Sequence, residues 1–279
     1  MPFSTRNTKS KFLKRYIEYY YFHSSTKNNE SEKIVFYPNT LNALTIYHKS
    51  KLVFGSNWSI AKAINKDCYN AYYAGLNKEF KISEMKSPFN KLGVVFKPLG
   101  INSFIDQPLE ALISKTQNKK FTYFDNSFKD ILPEVFRTND LNERVDLLDR
   151  FFLSKHNHFE NVLLQSAIEL IEKSNIKYKV SELSELCNTT QKTLNRNFKK
   201  HLNCTTKVYL DIFQFRKSFN HFINHNGKYK LIDLTYEFDY YDQAELTKLF
   251  KRITGVNPKE LFKGVQKFGD ENLFWTRKL

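Results

Sequence analysis

The period of apolar and polar positions changes along the chain. Between about Ile34 and Pro98, short runs of β-branched and aromatic residues are punctuated by Gly, Pro and Asn. Ile34-Val35-Phe36-Tyr37, Ala43-Leu44-Thr45-Ile46-Tyr47, Lys51-Leu52-Val53-Phe54, Asn70-Ala71-Tyr72-Tyr73-Ala74 and Gly93-Val94-Val95-Phe96 carry the best strand signals. Such side chains suit a pleated, half-buried surface, and a small β sandwich or barrel accommodates them. Past Pro98 the spacing becomes helical. Ile101, Phe104, Ile105, Leu109, Leu112 and Ile113 form one stripe, broken at Pro108, because proline has no N–H to give a helix interior. Phe128, Leu132, Val135 and Phe136, then Leu141, Val145, Leu148, Phe151 and Phe152, continue at three- and four-residue spacing, so helices close the first domain.

The stretch from Ser154 to Phe159 is polar and carries two histidines, which marks a joint. The reading is an α+β chain of two domains, since 279 residues exceed what one core usually serves. Residues 1–155 form a β-rich domain, cupin-like or a small barrel, with flanking helices. Residues 160–266 form an all-α domain, and 267–279 a tail.

Within the second domain a pattern repeats. In Val180 to Leu202, Ser181 is placed to cap a short helix with Leu183 and Leu186 inward, and Thr190 to cap the next. There Leu194, Phe198 and Leu202 recur every four residues, leaving Lys192, Asn195, Arg196 and Lys199 on another face, with no acid from Gln191 to Lys200. About fifty residues later Leu231, Leu234 and Phe238 mark a short helix, Asp239-Tyr240-Tyr241 a turn and Asp242 a cap. Leu246, Leu249, Phe250 and Ile253 then point inward, and Thr247, Lys248 and Lys251 outward. Gly255 stops this helix in left-handed backbone and Pro258 begins another. Thr206 to Asn224 reads as one connecting helix of roughly 28 Å, comparable to the ~34 Å between successive major-groove segments.

These residues give the chain a resemblance. Thr193-Leu194-Asn195-Arg196-Asn197-Phe198-Lys199-Lys200-His201-Leu202, together with Asp242-Gln243 and Leu249-Phe250-Lys251-Arg252-Ile253-Thr254-Gly255-Val256-Asn257-Pro258-Lys259-Glu260, resembles the double helix-turn-helix domain of AraC/XylS-type transcription regulators. The resemblance implies base contacts from Lys192, Asn195 and Arg196 in the first unit and from Gln243, Thr247 and Lys248 in the second. Lys199 and Lys251 join them as DNA-binding residues. Departures are Asp239 for a turn glycine, Asn203 and Thr206 for Gly and Pro, and Ala244-Glu245-Leu246 for a Ser-His-aromatic run. Glu245 is expected to repel phosphate. Gly93 to Gly100, followed by an apolar helix, resembles the cupin-like sensing domains found ahead of this module, which implies a small-molecule effector or homodimerisation. Double-stranded DNA is the partner implied, with RNA polymerase as a further one.

Composition is consistent with that picture. A formal charge of +15 favours polyanions, although the basic residues are spread over both halves. Three cysteines without CxxC spacing fit a reducing interior. No run of eighteen apolar residues and no signal-peptide core occur, so a cytoplasmic protein is expected. His156-Asn157-His158 lacks a third metal ligand in sequence, and His221 with His225 lacks the His-Glu-x-x-His arrangement. No metal or cofactor is therefore expected. The aromatic run Tyr16 to Phe22 reads either as cavity lining or as a packed edge, and Tyr72, Tyr73, Phe96 and Trp58 are equally open. No phosphate loop or nucleophile elbow appears. Nonspecific nucleic-acid or protein-partner binding on the same fold is the alternative to sequence-specific regulation. An enzyme acting on a small molecule in the first domain is a third reading.

Overall fold

Alternating inward positions turn the first ninety-odd residues into two facing sheets. The computed structural model describes residues 3–27, 30–114, 120–174, 176–225, 230–268 and 273–277. One sheet is antiparallel in the order β1 (Phe3–Arg6), β2 (Ile17–Ser25), β9 (Phe89–Phe96), β4 (Asn42–His48), β7 (Tyr69–Ala74). The other has the order β10 (Val265–Phe268), β11 (Leu273–Arg277), β3 (Ser31–Phe36), β8 (Lys81–Lys86), β6 (Trp58–Ala63), β5 (Ser50–Phe54), with β6 and β8 parallel. All five strands expected from the pattern are present. Strands β10 and β11, most of which fall in the stretch 267–279 expected as a tail, form a hairpin that pairs Thr276 with Val35 and Arg277 with Ile34.

Strands β4, β7 and β9 of the first sheet each serve two cores, because successive side chains take opposite faces. Leu44, Ile46, Leu92 and Val94 meet Phe128 and Leu132 of α2 (Asp125–Arg137) and Leu148 and Phe152 of α3 (Leu141–Lys155). Tyr47 lies on the other face, in a cluster with Ile34, Ala61 and Met85 of the second sheet. The Ile101–Ile113 stripe divides at Pro108 as expected. Gly100–Phe104 is a 3-10 turn and α1 covers Leu109–Ser114. The buried carboxylate of Asp149 on α3 fastens the N-terminal segment. It accepts from Thr8 Oγ1 (2.7 Å), Tyr20 OH (2.7 Å), Lys9 N (2.9 Å) and Ser10 N (3.0 Å).

The helical part comprises α4 (Val162–Lys173), α5 (Val180–Leu186), α6 (Gln191–Leu202), α7 (Thr206–Asn224), α8 (Leu231–Glu237), α9 (Gln243–Thr254) and α10 (Pro258–Gly264). Tyr209, Leu210 and Ile212 of α7 join a core with α4, α5 and α6, which also receives Leu76 and Leu99. Phe215 and Phe219 join a second core with α8, α9 and α10, which receives Val35 and Tyr37. Polar contacts lock the two halves. Arg216 donates to Pro38 O (2.5 Å) and Tyr37 O (2.7 Å), Phe80 N to Ile253 O (2.8 Å), and Asn102 Nδ2 to His201 O (3.0 Å). The Phe80 ring sits on Gly255, where a Cβ would lie 2.5 Å from its edge. No helix among the described residues is long and apolar enough to cross a membrane.

His201 makes this junction sensitive to pH. Burial, aided by the Lys200 charge, holds its imidazole down to about 4, whereas an unfolded histidine titrates near ~6.5. Below ~6.5 the unfolded chain takes up a proton that the folded chain refuses, so the stability present above that pH is lost as pH falls. Replacing His201 with Gln is expected to flatten the fall of the urea midpoint between about pH 6.5 and 5. An identical fall in the variant would refute it.

Candidate nucleic-acid interface

The first helix pair is set by short-range capping and three buried anchors. α5 begins at Val180, with Lys179 N–H bonded to Glu182 Oε2 at 2.8 Å, so Ser181 lies inside the helix and not at its cap. Val180, Leu183 and Cys187 make the inward row. Leu186, expected inward, falls off that row and is 54% exposed, since the buried face centres on Leu183 and Ser184. Asn188 takes φ 49° in the turn, and Thr190 Oγ1 accepts Thr193 N–H at 3.1 Å to start α6.

Leu194, Phe198 and Leu202 of α6 are fully buried, and the Phe198 ring meets Tyr209 edge-on at 5.3 Å. This burial turns Lys192, Arg196, Lys199 and Lys200 outward, and all four are exposed. Asn195 is half-buried, and its Oδ1 holds the Thr206 N–H at 3.1 Å, so that acceptor braces the start of α7. Asn203 closes α6 at φ 54°, in the left-handed backbone that asparagine visits more readily than most residues. Thr205 Oγ1 caps α7 through Val208 N–H at 3.2 Å.

The second pair repeats the construction. Lys230 N–H bonds Asp233 Oδ2 at 3.0 Å, Leu234 and Phe238 are buried, and Asp239 turns at φ 53°. Asp242 Oδ1 accepts Glu245 N–H at 2.7 Å to begin α9. Leu246, Leu249, Phe250 and Ile253 are buried as the pattern requires, Gly255 takes φ 79°, and Pro258 sits in the first turn of α10. Gln243, Lys248 and Lys251 are exposed and Thr247 is half-buried. Arg252 is committed to Asp211 of α7 at 2.8 Å, a carboxylate that Lys207 also pairs at 2.9 Å.

Glu245 differs from expectation. Lys177 Nζ pairs with its Oε1, and its Oε2 accepts Tyr241 N–H at 2.8 Å. Burial alone would raise this carboxyl, but the Lys177 bond and the amide lower it overall. The carboxylate therefore carries its own counter-charge and is not the bare repulsive group that the sequence suggests. Sixty-eight residues separate the pair, which is why the sequence pattern missed Lys177. The rings of Tyr236 and Tyr241, 80% and 93% exposed beside the second unit, were also passed over inside a run read as helix and turn.

A second feature lies between the sheets, a cavity of 320 Å³ bordered by Tyr19, Tyr21, Thr45, Tyr47, Tyr72 and Lys91, with Asn203 and Arg216 on its helical side. The Tyr21 ring crosses β9 at Gly93, where any Cβ would strike it, and its hydroxyl meets Thr45 Oγ1 at 2.5 Å. Both readings of the aromatic run therefore hold at alternate positions, since Tyr20 and Phe22 pack in the core. Tyr72 and Tyr73 border the cavity, Phe96 is core, and Trp58 is 41% exposed. Burial holds the Arg216 guanidinium down to about 10. Among the described residues no three metal-ligating side chains converge. His221 stacks on His225 at 4.2 Å and faces Glu237 at 3.3 Å, and His156 meets Tyr16 OH at 3.3 Å.

A domain of unknown function (DUF6597) matches residues 8–118. No curated protein sequence matches the chain. In fold it is similar to ToxT from Vibrio cholerae, at 12% identity and TM-score 0.46, over 94% of this chain and 98% of that one. It is similar also to unsaturated fatty acid-bound wild-type ToxT from Vibrio cholerae strain SCE256, at 12% identity and TM-score 0.45, over 90% and 98% respectively.

The caps give a direct test of how the two outward helices are held. Thr190→Ala and Asp242→Ala are each expected to lower stability by about 1 kcal/mol in urea unfolding. Losses near zero in both would mean that packing alone fixes the helix starts.

Proposed function

We propose that the chain is a sequence-specific, DNA-binding transcription regulator of the AraC/XylS type, in which α6 and α9 enter successive major-groove segments of a duplex. The observation that carries this reading is the paired construction of the two units. Each has a side-chain cap, a row of buried anchors and an outward stripe, Lys192, Arg196 and Lys199 in one and Gln243, Lys248 and Lys251 in the other. Arg196 is suited to fork onto guanine and Gln243 to bridge adenine, while the lysines neutralise phosphate. Thr247, half-buried, offers a short hydroxyl contact, and the amide of Asn195 stays beside the groove with its Oδ1 already engaged. The cavity between the sheets supports an effector site in the first domain, because Arg216 of α7 lies on its border and ties α7 to the 37–38 loop. Binding there acts on the helix that both units share.

The engagement of Asn195 favours a second reading, backbone binding with little base choice, in which the lysines do most of the work. Affinity for selected and random duplexes at one stated salt concentration separates the two. A ratio near one supports the second.

Arg196→Ala is expected to weaken binding to a selected duplex by ~1–3 kcal/mol and to relax base choice at its contact, whereas Lys199→Ala weakens all duplexes alike and lowers the salt slope by about 1. An unchanged footprint in the Arg196 variant would count against base reading. Lys177→Met, which strips Glu245 of its counter-charge, is expected to weaken DNA binding severalfold, and adding Glu245→Gln to restore it. Lack of restoration would mean that Lys177 touches DNA itself.

A further inference from the structure

The cavity between the sheets holds one group that its tyrosine walls do not explain. Lys91 lies on β9 at 4% exposure and borders the cavity. Its Nζ donates to Met85 Sδ at 2.8 Å, a weak acceptor, and stands 5.5 Å from the Tyr47 ring centre. Among the described residues no carboxylate comes within ion-pair distance of this amine. Glu32, on the facing strand β3, acts on it only at longer range, and Glu32 itself meets His23 at 3.2 Å. Two further polar groups bordering the same space, the Asn42 amide and the Tyr73 hydroxyl, are buried without a hydrogen-bond partner among the described residues. Buried polar groups are normally satisfied, so the cavity is furnished for a guest with its own polar atoms.

We propose that Lys91 is a covalent anchor, its amine condensing with the carbonyl of a small aldehyde or ketone held between the sheets to form an imine. The Nζ lone pair adds to the carbonyl carbon, the carbonyl π pair moves to oxygen, and a proton passes from nitrogen to that oxygen. The nitrogen lone pair then expels that hydroxyl, which leaves as water with the remaining N–H proton, giving a neutral C=N bond with no change in oxidation state and no other reactant. An amine reacts this way only when unprotonated. Burial, opposed only in part by Glu32, brings Lys91 down to about 7, so at neutral pH about half of it is free amine, against roughly 0.04% for an ordinary lysine. Desolvation thus disfavours a resting cation there, and a guest that makes a neutral bond suits the site better than one that needs a permanent positive charge.

The proposal rests on the reading of the cavity as an effector site, and the experiment keeps the two apart. The full chain is incubated at pH 7 with benzaldehyde or hexanal and cyanoborohydride, which reduces an imine to a stable secondary amine, and labelled positions are mapped by peptide mass. Benzyl alcohol, which has the ring but no carbonyl, is tested by thermal shift and as a competitor. The expected result is labelling at Lys91 on the order of a hundredfold above an average exposed lysine, with competition by benzyl alcohol. Lys91→Met is expected to lose the label and still bind benzyl alcohol. In the wild-type chain the labelling rate is expected to rise with a midpoint near pH 7, a readout that needs no variant. If benzyl alcohol binds but neither aldehyde favours Lys91, the covalent proposal is overturned and the effector reading stands. If nothing binds and no lysine is favoured, both fall.

Discussion

Everything in the helical half depends on the burial of α7 on several sides at once. Tyr209 and Ile212 complete the core under α6, and Phe215 and Phe219 the core under α9. Between these sets, Arg216 reaches out to two backbone carbonyls of the β domain. A helix enclosed in this way cannot rotate or slide to suit one neighbour without disturbing the others, because packed interiors respond to displacement as solids do. The spacing of the two outward stripes is therefore a property of α7 and not of either unit alone.

The same logic governs how the β domain handles polarity. Asp149 is buried but receives four donors, so its charge serves as a clasp for the N-terminal segment. Lys91 is equally buried, yet among the described residues its amine finds only the weak acceptor Met85 Sδ to donate to. The first domain thus has a saturated carboxylate on α3, facing the N-terminal segment, and a poorly satisfied amine on β9, facing the opposing sheet.

Legibility from sequence followed the range of the interactions. The bounds of α7, the Thr190 and Asp242 caps, the Gly255 stop and the Pro258 start all rest on chemistry within four residues, and the chain displays them. The buried rows of α6 and α9 were readable for the same reason. Strands β6 and β8 were not, because Trp58–Ala63 relies on small alanines broken by Ser59 and Lys62, and Lys81–Lys86 sets Ile82 and Met85 among Lys, Ser and Glu, so neither shows a clean alternation. Nor was the return of β11 to β3, since nothing local signals a partner over two hundred residues away. The outward stripes of α6 and α9 were legible as stripes, but the bond from Asn195 to Thr206 and the neutralising of Glu245 by Lys177 required the folded chain.

The seat of Phe80 on Gly255 ties a motif residue to the architecture in a second way. A glycine there is read as the exit from a helix, yet its bare face is also the socket into which the β domain plugs an aromatic ring. A side chain larger than hydrogen would act as a wedge at the seam while also straining the helix end. A substitution at this one position would therefore injure two things at once, the end of α9 and the seam between the helical half and the β domain, so its effects on either cannot be assigned to the helix alone.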